Sequence, residues 1–405
     1  MIERDYDDLR DQFNRFQRGA LIVGGVAVLL LLIGVFFDPE QFFHSYLFAY
    51  TFWFGIGIGC LAFLLIHHLA GGAWSAVLRP VLEAGANTLP LMALLFIPLL
   101  LPIGMHALYE WTHLDVVAED PLLQYKRPWL NTPFFIGRTI FYWAVWLVVL
   151  VLLNRWGTEL ERTEGDPVVA RSLRVMSAPG LVFFGLTTSF AAFDWLMSLE
   201  PHWFSTIYGL LITAGWALTA FAFVVAVTRW LGNREPVEGV VTPELFNDYG
   251  SLLLAAILVW TYTHVSQFLL IWSGNLPEEI TWYLRRQAGG WALVAVAIVI
   301  FHFAVPFTLL IFRDIKRNAR LLAGIALFVL FMRLVETFWV VAPSFYPEGF
   351  HLHWLDLVAP VAIGGLVIGV FFWQLAARPL VYVNDPKLEE PAEHGTIETA
   401  PGDAA

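Results

Sequence analysis

The chain has 405 residues, 58% of them hydrophobic and 14% charged, with a formal net charge of -11. A soluble domain carries about 25% charged residues, so the composition excludes an ordinary soluble domain and points to an all-α integral membrane protein surrounded by lipid rather than nucleic acid. One cysteine, Cys60, excludes an internal disulfide, an iron–sulfur cluster held by this chain, and a structural zinc site.

Residues 1–19 are mixed in charge and read as one amphipathic cytoplasmic segment. No small-residue cleavage site follows the first apolar run, so no signal peptide is expected. Ten apolar stretches, each near the ~20 residues a bilayer crossing needs, fill residues 20–373. They are Ala20–Phe37, Tyr46–His67, Ala84–Met105, Phe134–Leu153, Ala178–Leu196, Ile207–Val227, Ser251–Ile271, Trp291–Phe312, Leu321–Val341 and Val358–Trp373. Residues 374–405 form an acidic tail with almost nothing apolar to bury, expected to be cytoplasmic and disordered. Of the 23 Lys and Arg, 17 fall on the N-terminal side of these spans, Arg79 among them. Four fall on the opposite side, and Arg138 and Arg333 lie within spans. That asymmetry places both termini in the cytoplasm.

A charge in hydrocarbon costs roughly 2.5–3.5 kcal/mol on insertion scales, so it usually has a partner or a task. The fifth span ends in FDWLMSLEPHWFSTIYG. Asp194 lies about 24 Å up this helix, in the outer half. Glu200, Pro201 and His202 make the turn, where Pro201 interrupts the helix, and Trp195 and Trp203 suit the headgroup level. Either Asp194 and His202 flank an outward-facing pocket, or Asp194 caps or pairs within an anchored turn.

In the seventh span, His264 and Gln267 share a helix face, with Tyr262, Thr263 and Ser266 adding hydroxyls. Proton transfer or ligand contact competes there with interhelical hydrogen bonding. Arg333 and Glu336 in the ninth span are three apart and close enough to pair, with Arg333 about 18 Å from the inner end. A structural clamp and a proton relay are both open readings.

His302 lies at mid-depth in the eighth span. Only His264 matches it in depth as a second ligand for a b-type haem. His67 and His68 end the second span at the cytoplasmic edge, and His106 and Glu110 end the third on the other side. In SGNLPEEITWYLRR, Asn275 or Ser273 is placed to cap a short helix with Pro277 in its first turn, and Trp282 and Tyr283 are placed to lie in the interface. No metal-ligand pattern, nucleotide-binding loop or nucleophile elbow occurs, and no residue is assigned a catalytic role.

The string Phe193–Gly209, the run Ser266–Arg286 and the ten-span layout together resemble the NrfD-like membrane subunits of bacterial alternative complex III, the quinol:cytochrome c oxidoreductase unrelated to the cytochrome bc complex. Among these the F-subunit branch, quinone-binding subunit 2, is the nearest in sequence. The resemblance covers most of the chain apart from the tail.

It implies spans 2–5 and 6–9 as two four-helix bundles with flanking helices, in the bacterial inner membrane. Implied partners are a sister NrfD-like subunit, an iron–sulfur protein and cytochrome c subunits, which hold the clusters and haem c, and in some assemblies a terminal oxidase. The implied substrate is a quinol, with no cofactor held by cysteine here. On this reading Asp194, His264, Gln267, His302, Arg333 and Glu336, with Glu200 and His202 nearby, line one polar chamber open to the outside. His67 and His68 would feed it protons from the cytoplasm. The competing readings are a structural anchor, a subunit of another respiratory reductase, or a transporter broken at Pro306.

Overall fold

The structure is a computed structural model that describes residues 2–381, except 233, 235, 236 and 238–240. Nearly all of the acidic tail therefore lies outside the described residues. The described residues form helices and no strand. Ten helices are long and apolar enough to cross a membrane: α1 (Leu9–Phe37), α2 (Pro39–Ala70), α3 (Val77–Leu100), α4 (Thr132–Arg162), α5 (Pro167–Leu199), α6 (Tyr208–Leu231), α7 (Pro243–Gly274), α8 (Trp291–Ile311), α9 (Ala319–Ser344) and α10 (Trp354–Ala376). The chain is a multi-pass membrane protein.

Local chemistry sets the helix starts. Asp38, Asn131, Asp166 and Thr242 each accept a hydrogen bond from a first-turn backbone N–H, and each is followed by proline at the first or second helical position. The side chain satisfies an orphan donor, and proline loses nothing where no partner was due. α10 starts on a capping box between His353 and Asp356. Asn275 ends α7 in the left-handed conformation, φ 47°. It therefore terminates that helix and does not cap the next one, Pro277–Arg285, which has no side-chain cap.

α2 and α6 are the most enclosed helices. α2 packs on α1, α3, α5, α6, α9 and α10, and α6 packs on α2, α5, α7 and α9. α4 touches α3 and α5, while α8 touches α7 and α9. α1 and α8 keep most of their surface outward, as lipid-facing helices do. Phe13 and Phe16, in the segment read as a separate amphipathic stretch, continue the helix and pack on Trp230 and Phe372.

Within a bilayer, close backbone approach replaces the hydrophobic drive between helices. α1 and α10 meet where Gly24 faces Gly365, and a Cβ on Gly24 would lie 2.8 Å from Gly365 Cα. Gly365 and Gly369 are four apart, and Leu21 covers Gly369. Gly365→Val should therefore separate α1 from α10 and cost about 1–3 kcal/mol, as overpacking does. Thermal unfolding in detergent measures this; an unchanged midpoint would refute the close approach.

Candidate functional site

The sequence-predicted residues divide into three groups. In the first, Asp194 is fully enclosed on α5. Arg138 of α4 grips it with Nε–Oδ2 and Nη2–Oδ1 both at 2.8 Å. Tyr142 donates to Oδ2 at 2.7 Å and Trp129 Nε1 to Oδ1 at 3.1 Å. Arg138 also donates to the Trp129 carbonyl at 3.0 Å, and its guanidinium lies over the Trp129 and Phe134 rings at 4.1 and 4.3 Å.

The bidentate fork and two neutral donors use both carboxylate oxygens, so Asp194 is a clamp between α4, α5 and the loop before α4. Trp195 and Trp203 are buried rather than at headgroup level. Trp195 packs with Phe54, Phe96 and Trp146, and Trp203 donates to the Glu279 carbonyl at 2.9 Å. Indoles go inside when the ring has aromatic neighbours and the N–H has an acceptor.

In the second group, Glu200 joins the α5–α6 turn to the α7–α8 connection and the end of α9. It accepts from Arg286 and from Ser344, both at 2.8 Å, with Arg285 at 3.4 Å. Arg286, also buried, lies 3.6 Å from the Trp282 ring centroid. Trp282 is buried against the bundle instead of lying in the interface. Gln267 accepts from Ser205 at 3.1 Å and donates to Tyr283 at 3.3 Å. His202 is half-exposed and meets Asp120 at 2.5 Å, and that hydrogen bond holds the Asp120 carboxyl below its usual range.

The third group is at mid-membrane. Glu336 pairs with Arg333 one helical turn earlier. Arg333 Nε donates to Thr219 at 3.1 Å, and its guanidinium lies where a Cβ on Gly215 would sit. Glu336 Oε1 faces His264 Nε2 at 3.1 Å and Trp260 Nε1 at 3.4 Å. His264 Nδ1 faces the Trp260 carbonyl at 3.0 Å.

Both His264 nitrogens thus face oxygen acceptors, but a neutral imidazole has one N–H. A proton must be shared between His264 and Glu336 for both hydrogen bonds to form. Trp260 also packs against His302, ring centroids 4.1 Å apart. His302 is fully buried and neither of its nitrogens has a partner among the described residues. It sits in a π-helical turn, Ile298–Ala304, where the Val305 N–H reaches back to the Ile300 carbonyl. Pro306 lacks the donor that would continue the α-helix, and the wider turn accommodates it. His264 has no nitrogen free for a metal, and among the described residues no three His, Cys, Asp or Glu converge as a metal site.

A cavity of about 470 Å³ opens between α7 and α8 beside this group. His264, Trp260, Phe268, Tyr283, Gln287 and Trp339 are among its walls. Neighbouring Val265, Val296 and Val299 are exposed, so it faces the lipid side. Burial pushes the Tyr283 phenol up to about 12, leaving a neutral hydroxyl. Asp194, Gln267, His302, Arg333 and Glu336 do not line this cavity, and Tyr262 points outward.

At the other membrane face, His67 and His68 are buried with rings 4.7 Å apart, and His67 Nδ1 lies 2.7 Å from Ser75 Oγ. Beyond them runs a network that sequence reading missed. Arg79 bonds Glu83 at 2.9 Å and Glu161 at 3.0 Å, Arg378 bonds Glu83 at 2.5 Å, and Asn87 and Asn154 exchange amide hydrogen bonds. Arg79 is buried inside α3, not in the loop to which its charge had assigned it. Asp356, also missed, is buried and accepts from Ser45 at 2.6 Å and Gln41 at 3.3 Å.

Asp194→Asn should leave Arg138 charged and enclosed, costing about 3–5 kcal/mol, and Arg138→Gln should cost a similar amount. The double substitution should recover a large part. A double-mutant cycle in thermal unfolding reads the coupling; purely additive losses would mean the two side chains do not pair.

The depressed Asp120 gives a pH test outside the membrane. Its hydrogen bond with His202 contributes above the ordinary carboxylate pKa and is lost as pH falls through the lowered one. His202→Ala should move the Asp120 midpoint up toward the ordinary range, the Leu122 and Leu123 backbone N–H bonds keeping part of the depression, read by carboxyl-carbon NMR titration. An unmoved Asp120 midpoint would show that His202 is not the cause.

No family model matches the sequence, and no curated protein matches it.

Proposed function

We propose that this chain is a membrane subunit of a respiratory quinol:cytochrome c oxidoreductase of the alternative complex III type, contributing a quinone-type cavity and one end of a proton path. The observation that carries the reading is the placement of His264. Its ring forms part of the wall of a lipid-facing cavity, and its Nε2 faces the enclosed Glu336 carboxylate at 3.1 Å. The cavity is of the size and apolar character common among small-molecule sites, with few polar groups. The resemblance in Phe193–Gly209 and Ser266–Arg286 supplies the complex, its haem c and iron–sulfur partners, and the bacterial inner membrane. The Lys and Arg asymmetry supports cytoplasmic termini.

Packing supports the two-bundle arrangement of spans 2–5 and 6–9. The contacts α2–α3, α2–α5, α3–α4 and α4–α5 have counterparts α6–α7, α6–α9, α7–α8 and α8–α9, and α2–α9 matches α6–α5.

A quinol supplies two electrons and two protons when oxidised. In this chain the Tyr283 hydroxyl and Gln287 stand at the cavity wall to orient a polar head. Trp260, Phe268 and Trp339 exclude water around it. His264 takes up a proton at Nε2, next to the Glu336 carboxylate, and Arg333 holds that carboxylate charged. His302, behind Trp260, is the next imidazole inward. Asp194 and Glu200 act as clamps that fix the helices bearing these groups.

In the purified assembly, His264→Gln keeps a hydrogen-bonding side chain but cannot carry the proton. Quinol-dependent cytochrome c reduction should fall about a hundredfold, the scale of a lost general base, with assembly intact. Unchanged turnover would remove the proton role. Purification of the wild-type chain without haem c or iron–sulfur subunits would remove the complex itself.

A further inference from the structure

A second cavity, of about 390 Å³, lies where the end of α6 meets the starts of α7 and α9. Of the nine described residues that line it, three are arginines (Arg229, Arg317 and Arg320) and none is acidic. Among the described residues, the acid that pairs with one of these arginines is Glu244 of α7, which binds Arg317. Arg229 carries a buried Nε with no hydrogen-bond partner among the described residues. The Arg320 guanidinium has no ion pair or hydrogen bond among the described residues, and its backbone N–H is capped by Asn318 at 3.1 Å. The positive end of the 23-residue helix Ala319–Val341 points at the same place.

An enclosed guanidinium donor without an acceptor is costly. Its planar fork matches phosphate oxygens. Leu321, next to Arg320 in the chain, and Ile311 and Phe312, at the end of α8, are 52, 53 and 57% exposed. A cationic pocket with an apolar apron suits a ligand that has both an anionic head and a hydrocarbon tail, and a free phosphate would leave the apron unused. Basic pockets between membrane helices on the cytoplasmic side are known to take such head groups.

We propose that this cavity binds the phosphate head group of an anionic phospholipid, with Arg229 and Arg320 as its principal donors and Arg317 as a shared one. The site is independent of the quinol reading, since it lies at the opposite ends of α7 and α9 and involves none of the same residues.

The test uses the full chain in its native assembly, delipidated in mild detergent and re-exposed to phosphatidylglycerol, phosphatidylcholine or inorganic phosphate. Native mass spectrometry counts the molecules retained. Wild type should retain phosphatidylglycerol over phosphatidylcholine. Arg229→Gln/Arg320→Gln should weaken that retention about tenfold, and Arg320→Gln alone, at an exposed position, should weaken it in part. Arg313→Gln, an exposed arginine outside the cavity, should change nothing. Equal retention by wild type and both Arg320 variants would overturn the site. Displacement of the lipid by millimolar inorganic phosphate would overturn the lipid assignment and leave a free-anion site.

Discussion

A carboxylate cannot stay ionised inside a bilayer without a partner, and this constraint organises the molecule. Asp194 receives a guanidinium fork and two neutral donors, and Glu200 two arginines and a serine hydroxyl. Glu83 is met by Arg79 and by Arg378 from the far end of the chain. Apart from Arg79–Glu83 on one helix, these links join segments distant in sequence, so the charges fix which helices are neighbours as well as their rotation. Since breaking such a pair from one side leaves an enclosed charge, each clamp is worth more as a constraint on geometry than as net binding energy.

Asp356 is the exception that shows the rule is about donors rather than cations. Ser45, Gln41 and the His353 backbone N–H supply its hydrogen bonds. It stands at the start of α10, where the bilayer gives way to loops and solvation is less demanding. That position tolerates a carboxyl held by neutral groups, whereas mid-membrane Glu336 has Arg333.

The ten crossings were legible because hydrophobic length is a local property. Each apolar stretch named in the sequence lies within or across one of the ten helices. The Arg333–Glu336 pair was legible for the same reason, since spacing of three on one helix is enough. The partners of Asp194 were not: Arg138 lies 56 residues away. The available signal was that the consecutive apolar stretches Phe134–Leu153 and Ala178–Leu196 hold one charge each, of opposite sign. α3 was placed seven residues late because Arg79, Pro80 and Glu83 lower the local hydropathy, yet in the fold Arg79 and Glu83 pair and stay enclosed. The residues expected to line one polar chamber are divided among three groups, because depth says nothing about the direction in which a side chain points.

What distinguishes the mid-membrane group from the clamps is incomplete satisfaction. Around Asp194 every acceptor position is taken by a donor. Around His264 two acceptors compete for nitrogens that carry one hydrogen in the neutral ring, and His302 has two nitrogens with no partner among the described residues. A sequence selected only to lock helices would fill these gaps with apolar side chains, since an unsatisfied buried polar group costs about 1–3 kcal/mol. Instead the fold holds them open: Pro306 and the π-turn give α8 the extra width that sets His302 beside Trp260, and Trp260 in turn contacts His264. Groups that can gain or lose a proton without breaking the frame are what proton transfer needs. They lie where the helices are least enclosed, beside a cavity that lipid-soluble molecules can reach.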